Sequence, residues 1–166
     1  MGTYPSFGGN LVKSGVYMKV VAYNIREFEK EQLALANAKV HDLTLISNGL
    51  DMGTLHYAVG KEVVIISDRD VLDSTLLNKL DQIGVKKIIT RSISLDHIDI
   101  SHANKLGLHI ANTPFEDQST LGIAYQTIMN LNNWGDERCL GLACQCVLEC
   151  EKKGVPLKQN YERQTK

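Results

Sequence analysis

No run of apolar residues in this sequence approaches the roughly 18 to 20 that a helix needs to cross a bilayer. Residues 1–17 are too poor in apolar runs to act as a secretory signal. The 18 basic and 19 acidic residues are interspersed, so no basic stripe is available to neutralise the phosphates of a nucleic acid. These absences predict a cytoplasmic protein that has neither a membrane nor a nucleic acid as a partner.

The sequence also lacks the short motifs by which proteins hold nucleotides and metals. It contains no G-x-G-x-x-G, no G-x-x-x-x-G-K-[ST] and no H-E-x-x-H. The spacings of its 4 cysteines match neither C-x-x-C pairs nor a zinc ligand set. We therefore expect no cofactor and no metal in this chain. Cys139, Cys146 and Cys150 would share one helical face and are interpreted as small buried residues, with a thiol-based metal or redox site as the alternative.

What is present is a regular alternation of short strands and helices. Apolar and β-branched runs predict five strands, of which residues 62–67 form the clearest and most central one. Stretches with a helical period lie between them, and glycines end three of these helices. Five strands joined by short helical crossovers predict an α/β fold: a flavodoxin-like, doubly wound, five-stranded parallel sheet with helices on both faces. The other predicted strands are residues 18–23, 41–47, 88–90 and 108–111, and the helices are residues 26–38, 52–59, 70–83 and about 99–106.

Two C-terminal helices are predicted beyond Pro114. In the first, apolar residues form a stripe before residues 132–135 break the helix. Asp136 is then placed to cap the second helix, which carries the cysteines to about residue 153. The predicted organisation is a leader or tag at residues 1–17, one domain at 18–156 and a polar tail at 157–166. The stripe residues are Leu121, Ala124, Tyr125, Ile128, Met129 and Leu131.

The carboxyl ends of parallel strands are where open α/β sheets bind ligands. Asn24, Ser67, Asp68 and Asn112 are expected at these ends, and each is interpreted as a loop-former or helix cap. His97, in the loop after the fourth strand, is interpreted as a solvated or hydrogen-bonded bystander. A response regulator is disfavoured because no acidic pair follows the first strand. A flavodoxin is disfavoured because the loop after the first strand lacks the Ser/Thr/Gly run that holds a flavin phosphate.

Residues 86–114 carry the most specific pattern in the chain. A strand runs into R-S-I-S-L-D-H-I-D at residues 91–99, a short helix ends at Gly107, and the next strand finishes in N-T-P at residues 112–114. This pattern resembles the substrate-domain signature of the D-isomer-specific 2-hydroxyacid dehydrogenases, which reads R-S/N-x-G-x-D-x-I-D, then a short helix, a Gly and N-x-P. The matching residues are Arg91, Ser92, Asp96, Ile98, Asp99, Gly107, Asn112 and Pro114.

The resemblance implies a loop that holds the substrate carboxylate on backbone N–H groups. Arg91 could pair with that carboxylate, or it could be a surface residue paired with Asp96 or Asp99. Ser94 replaces the family's Gly, which permits φ > 0, and Phe115 lacks the hydroxyl of the family's Tyr, so we expect a weakened or reshaped site. The predicted substrate-binding residues are Arg91, Ser92, Ile93, Ser94 and Phe115.

The resemblance also implies what is missing. In that family NAD binds to a nucleotide domain, which also carries the Arg, Glu and His of hydride transfer. In this sequence the helix expected to lead into that domain ends at Trp134 and the helix expected to return from it begins at Asp136, so the resemblance implies that the domain is missing. The resemblance extends from residue 18 to about 156. It implies an isolated, D-lactate dehydrogenase-like substrate domain that is inactive alone, has no catalytic residue of its own and binds at most a small 2-oxo or 2-hydroxy acid.

Two alternatives stay open. The first is a protein-interaction or dimerisation module that uses the face vacated by the nucleotide domain. A second copy or a separate nucleotide-domain chain would then be the partner, and Trp134 would either plug the gap or anchor that partner. The second is an engineered or degenerate fragment that has no function of its own.

Overall fold

The computed structural model of the chain describes residues 17–145. Five strands alternate with helices in this part of the chain, as the sequence predicts. The strands are β1 (Lys19–Ala22), β2 (Asp42–Leu45), β3 (Val63–Ile66), β4 (Lys87–Thr90) and β5 (His109–Ala111). The helices are α1 (Glu27–Asn37), α2 (Ser74–Gln82), α3 (Ile100–Lys105) and α4 (Thr120–Gly135), with 3₁₀ turns at Leu55–Ala58 and Gly141–Ala143.

The five strands form one parallel sheet in the order β2-β1-β3-β4-β5. This order confirms the predicted flavodoxin-like topology, with β3 at the centre. Every residue of β3 is completely buried, because helices cover both faces of the sheet. Helices α1 and α4 pack on one face with Val63 and Ile65, whereas α2, α3 and the first 3₁₀ turn pack on the other face with Val64 and Ile66.

Side-chain caps mark the first residues of three helices. Asp99 caps α3 as predicted, since its side chain accepts a hydrogen bond from the His102 amide at 3.0 Å. Asp73 and Ser119 cap α2 and α4 in the same way. The helix predicted at residues 52–59 is only the 3₁₀ turn Leu55–Ala58. No helix within residues 17–145 is both long enough and apolar enough to cross a membrane.

The apolar stripe predicted for α4 is only half buried. Leu121, Tyr125 and Met129 are exposed, whereas the polar residues Gln126 and Asn130 of the same helix are buried. These two side chains serve the loop that precedes α4. The Gln126 side chain accepts a hydrogen bond from the Phe115 amide at 2.9 Å, and Asn130 donates one to the Asn112 carbonyl at 3.0 Å. Helix α4 thus turns polar residues inward because buried backbone groups need partners there.

The chain after residue 131 differs from the prediction. Helix α4 continues through residues 132–135, and Asp136 follows its end instead of capping a new helix. Residues 136–145 form turns and a 3₁₀ turn, and Cys144 makes an antiparallel bridge with Ala111 at the edge of β5. Trp134, in the last turn of α4, is buried in the core, so it is not an exposed anchor.

Most of the remaining expectations concern chain ends that lie outside the described residues. The predicted leader, apart from Tyr17, lies outside the described residues, as do Cys146, Cys150, the rest of the second C-terminal helix and the polar tail. Cys139 lies in the irregular segment after α4 and is partly buried.

One buried carboxylate connects three loops at the carboxyl edge of the sheet. Asp70, only 2% exposed, accepts hydrogen bonds from the Asn24 side chain at 2.9 Å, the Leu50 amide at 2.8 Å and the Ser67 amide at 2.8 Å. These donors follow β1, β2 and β3 respectively. Gly49 allows the close approach, because a Cβ there would lie 3.2 Å from Asp70 Oδ1. Asp70 therefore sets the relative positions of these loops.

We expect Asp70→Asn to lower the free energy of unfolding by about 2–4 kcal/mol, because an amide nitrogen would face donors that now bind a charged acceptor. Asp68→Asn is the matched control, since Asp68 is exposed in the same loop, and it should change stability by no more than about 0.5 kcal/mol. Urea denaturation measures both. Equal effects of the two substitutions would contradict the assigned role of Asp70.

Candidate functional site

Arg91 directly follows β4, and its side chain points into the protein. The guanidinium Nη1 donates to the carboxylate of Glu29, and Nη2 donates to the carbonyls of Tyr23 at 2.9 Å and Asn24 at 3.2 Å. The side chain is 6% exposed, and burial lowers the pKa of Arg91, an effect that the Glu29 charge opposes. The predicted surface pairing with Asp96 or Asp99 is wrong, because the partner of Arg91 is Glu29 on α1.

A cleft of about 220 Å³ lies between α1 and the start of α4, at the same edge of the sheet. Arg91 forms part of its wall, and the wall carries charges of both signs. Of the five predicted substrate-binding residues, only Arg91 lines this cleft. The other charged residues that line it are Arg26, Glu29, Asp68 and Arg69.

The backbone of residues 92–95, here called the amide loop, has its carbonyls engaged by the protein. The Ser92 carbonyl accepts a hydrogen bond from the Thr113 amide at 3.1 Å, and the Ile93 carbonyl accepts one from the Asn112 side chain at 2.9 Å. The Ser94 carbonyl accepts one from the Ser92 hydroxyl at 2.9 Å. Three successive carbonyls of the amide loop are therefore held by protein donors.

The orientation of these carbonyls decides where the amides point. In a trans peptide the N–H lies opposite to the C=O of the same unit, and the peptides of residues 17–145 are all trans. The amides of Ile93, Ser94 and Leu95 consequently point away from the donors that hold the carbonyls. Within the described chain none of these three amides donates a hydrogen bond. Successive amides without a protein partner are donors that an anion can use when they converge on one point.

Ser94 causes no backbone strain in the amide loop. It is exposed, and it is not among the non-glycine residues with positive φ, which are Asn24, Ala38, Lys39 and Glu137. The expected steric cost of having Ser where the family has Gly is therefore absent. The Ser94 hydroxyl even contributes to the loop, since it accepts a hydrogen bond from the Asp96 amide at 3.2 Å.

Phe115 lies apart from the cleft walls, and its backbone is tied to α4. Its amide donates to Gln126, and its carbonyl accepts a hydrogen bond from the Gln118 side chain at 2.6 Å. The ring is half-buried. These contacts fix the main chain of Phe115 just beyond β5, and a role in substrate binding stays a prediction.

Of the polar residues expected at this edge, Asn24, Ser67, Asn112 and His97 are hydrogen-bonded, whereas Asp68 is exposed. Asn24 and Ser67 bind Asp70, and Asn112 holds the amide loop. His97 binds Thr90, and burial lowers the pKa of His97 against the opposing charges of Asp68, Asp70 and Asp96.

Sequence reasoning missed Asp70 and Glu29. Glu29 stands three residues after Arg26, where a capping carboxylate is expected, and its second oxygen accepts the Arg26 amide at 3.0 Å. This position in the first turn of the helix was the sequence signal that could have identified Glu29. Asp70 had only its place three residues after a buried strand, which many exposed loop residues share.

At the first strand-to-helix turn, the kind of position where a pyrophosphate binds, the Arg26 amide donates to the Glu29 carboxylate of the same helix. Within residues 17–145, no three His, Cys, Asp or Glu side chains are grouped so that they could hold a metal ion. The amide loop presents three backbone N–H groups that donate to no other group within residues 17–145.

Comparison with known proteins gives a consistent result. Residues 17–124 match the family described as "D-isomer specific 2-hydroxyacid dehydrogenase, catalytic domain". An aromatic 2-oxoacid reductase of Clostridium sporogenes is 29% identical over 98 residues, which are 58% of this chain and 30% of that protein. A 2-hydroxyacid dehydrogenase homolog of Haemophilus influenzae is 30% identical over 98 residues, with the same coverage of 58% and 30%.

Solved structures agree with these relatives. The apo-structure of D-lactate dehydrogenase from Escherichia coli has a TM-score of 0.58 and 29% identity, and the alignment covers 60% of this chain and 32% of that one. The Salmonella D-lactate dehydrogenase gives a TM-score of 0.57 at 29% identity. The chain thus spans about a third of the length of the relatives it matches.

We expect Glu29→Leu to cost about 3–5 kcal/mol of unfolding free energy, because it leaves the buried Arg91 guanidinium without its counter-charge. The double variant Glu29→Leu/Arg91→Met should recover more than half of that loss, since it removes the unpaired charge as well. Glu31→Gln, exposed on the same helix, is the control. Chemical denaturation at neutral pH would contradict the pairing if the double variant were no more stable than Glu29→Leu.

Proposed function

The chain belongs to the family of D-isomer specific 2-hydroxyacid dehydrogenases, and from this we propose that it is a substrate-binding domain that holds a small 2-oxo or 2-hydroxy acid on the amide loop. Membership confirms the resemblance found in residues 86–114. The observation that carries the proposal is the set of three unpaired amides at Ile93, Ser94 and Leu95, whose carbonyls are all held by the protein.

A carboxylate suits this loop because it is an acceptor-only group with two oxygens. Hydrogen bonds from backbone amides to an ionised oxygen are shorter and stronger than neutral ones. The exposed Ile93 side chain, with 53% of its surface accessible, offers an apolar contact for the rest of a small acid. Phe115 is the second apolar contact in this proposal, and its support is the family resemblance.

Arg91 supports binding indirectly in this proposal. Its guanidinium is occupied by Glu29 and two carbonyls, so it does not act as a bidentate clamp for the ligand. It instead fixes the point at which the amide loop leaves β4. Ser92 likewise contributes through its hydroxyl, which holds the Ser94 carbonyl.

We propose that this chain binds the acid without reducing it when it is alone. Hydride transfer needs a nicotinamide, and the sequence contains no G-x-G-x-x-G motif to hold a dinucleotide. A separate nucleotide-domain chain would supply both the cofactor and the acid–base residues. The proposed location is the cytoplasm, where nicotinamide-dependent metabolism of such acids takes place.

NMR titration of the labelled chain with oxamate, a pyruvate analogue, should shift the amides of residues 93–95 saturably. Uncharged oxamide is the matched control and should leave them unmoved, because it lacks the carboxylate. We expect a dissociation constant of roughly 1–10 mM, since only backbone amides and little apolar area contribute. Absence of saturable shifts in this loop would refute the binding proposal, and turnover of pyruvate and NADH by the chain alone would refute its inactivity.

A second candidate function is self-association through the outward face of α4. Leu121, Tyr125 and Met129 lie at i, i+4 and i+8 on this helix and are 42%, 53% and 44% exposed. Such spacing places them in one apolar row. The row can meet its own copy across a two-fold axis, because two antiparallel helices then present the same three residues to each other.

Light scattering after size-exclusion chromatography tests this candidate. We expect a dimer for the unmodified chain and a monomer for Tyr125→Glu, since the substitution puts like charges in the centre of the shared row. Val71→Glu is the matched control, because Val71 is also exposed, at 67%, but lies in the loop before α2. A monomeric unmodified chain, or equal effects of the two substitutions, would reject self-association by α4.

A further inference from the structure

A chain of hydrogen bonds connects His97 to the amide loop. His97 Nε2 lies 2.9 Å from Thr90 Oγ1, and Thr90 Oγ1 lies 2.7 Å from Ser92 Oγ. Ser92 Oγ in turn lies 2.9 Å from the Ser94 carbonyl oxygen. Thr90 is completely buried, so no solvent molecule replaces a missing partner there without rearrangement. We call this series the hydroxyl chain.

The number of hydrogens allows the hydroxyl chain only two directions. Each hydroxyl carries one hydrogen, and the Ser94 carbonyl can only accept. If Ser92 donates to Ser94, Thr90 must donate to Ser92, and His97 must donate from Nε2 to Thr90. If Nε2 carries no hydrogen, Thr90 can donate to it instead, and Ser92 can then donate to Thr90. The Ser94 carbonyl has no donor in that second direction.

The direction of the hydroxyl chain matters for the amide loop because it decides whether the Ser94 carbonyl has a donor. The Ser92 and Ile93 carbonyls are held by Thr113 and Asn112 beside β5. The Ser94 carbonyl depends on the Ser92 hydroxyl. Its peptide carries the Leu95 amide, so release of this carbonyl frees that amide to turn away from a bound anion.

We propose that His97 is a positioning residue for the amide loop: a hydrogen on Nε2 sets the hydroxyl chain in the direction that keeps the Leu95 amide available to the carboxylate. This inference rests on the proposed function of the loop. Since the imidazolium always carries a hydrogen on Nε2, protonation of His97 locks the favourable direction and adds a positive charge nearby.

Anion affinity should therefore rise as the pH falls through the pKa of His97. Burial lowers that pKa in the free protein, while Asp96 in the same loop and Asp68 and Asp70 after β3 act in the opposite sense. A bound carboxylate adds one more negative charge, which favours the imidazolium further. By linkage, a ligand that raises the pKa of His97 must bind the protonated form more tightly.

Oxamate titrations from about pH 8 to about pH 5.5, a range that brackets the ordinary histidine pKa, test the proposal. For the unmodified chain we expect affinity to rise by about five-fold on acidification, which corresponds to one net hydrogen bond. His97→Gln should keep the higher affinity across this range, because its amide can always donate to Thr90. His97→Leu removes the Nε2 acceptor, so Thr90 can donate to Ser92 and Ser92 to the Ser94 carbonyl, and binding should persist without the pH dependence.

Two further variants separate positioning from simple stability. Ser92→Ala removes the donor to the Ser94 carbonyl and should weaken binding at every pH. Thr90→Val breaks the connection to His97 but leaves Ser92 able to donate to the Ser94 carbonyl. Binding should therefore persist and lose its pH dependence. Long-range ¹H–¹⁵N spectra report the tautomer directly, and neutral His97 should carry its hydrogen on Nε2 in the oxamate complex.

The outcomes distinguish this inference from the function on which it rests. A complete lack of oxamate binding by the unmodified chain at all pH values overturns both. Binding that is independent of pH, or that varies equally in the unmodified chain and in His97→Gln, overturns only the role of His97. A neutral Nδ1–H tautomer in the complex would also overturn it.

Discussion

The buried carboxylate of Asp70 holds together the edge of the sheet at which the candidate site lies. A parallel sheet brings all its strand ends to one edge, and the loops that leave these ends need contacts outside the regular ladder to order them. Asp70 supplies this order, because one charged group accepts hydrogen bonds from the loops after β1, β2 and β3. The Asn24 loop that it fixes also provides a carbonyl for Arg91, so the start of the amide loop depends on it indirectly.

In the proposed site, backbone groups and not a free charged side chain are the donors to the anion. Arg91, the cation that directly precedes the loop, is buried against Glu29 and carbonyls, which makes it part of the framework. In the proposed function, ligand affinity comes from amides whose direction is set by the donors that hold the carbonyls. This arrangement explains how the loop accommodates Ser94, since the orientation comes from hydrogen bonds and needs no left-handed backbone at this position.

The two faces of α4 show why hydrophobicity alone misjudges a helix beside a loop. Its inward face carries Gln126 and Asn130, because the loop after β5 presents buried backbone groups that need partners. Its outward face carries the apolar row of Leu121, Tyr125 and Met129. A periodicity argument assigns apolar residues to the core, and it fails where the neighbouring surface is polar main chain.

The sequence by itself determined the strands, their parallel order, the cap at Asp99 and the position of the amide loop, because these follow from local runs, spacing and short crossovers. Glu29 could be identified as a helix-start residue, but its pairing with Arg91 could not. That pair spans 62 residues of chain, and the donors to Asp70 come from three separate loops. Only the tertiary structure decided these contacts and the direction of the loop carbonyls, since a contact between distant segments depends on the packing of every element between them and leaves no local pattern.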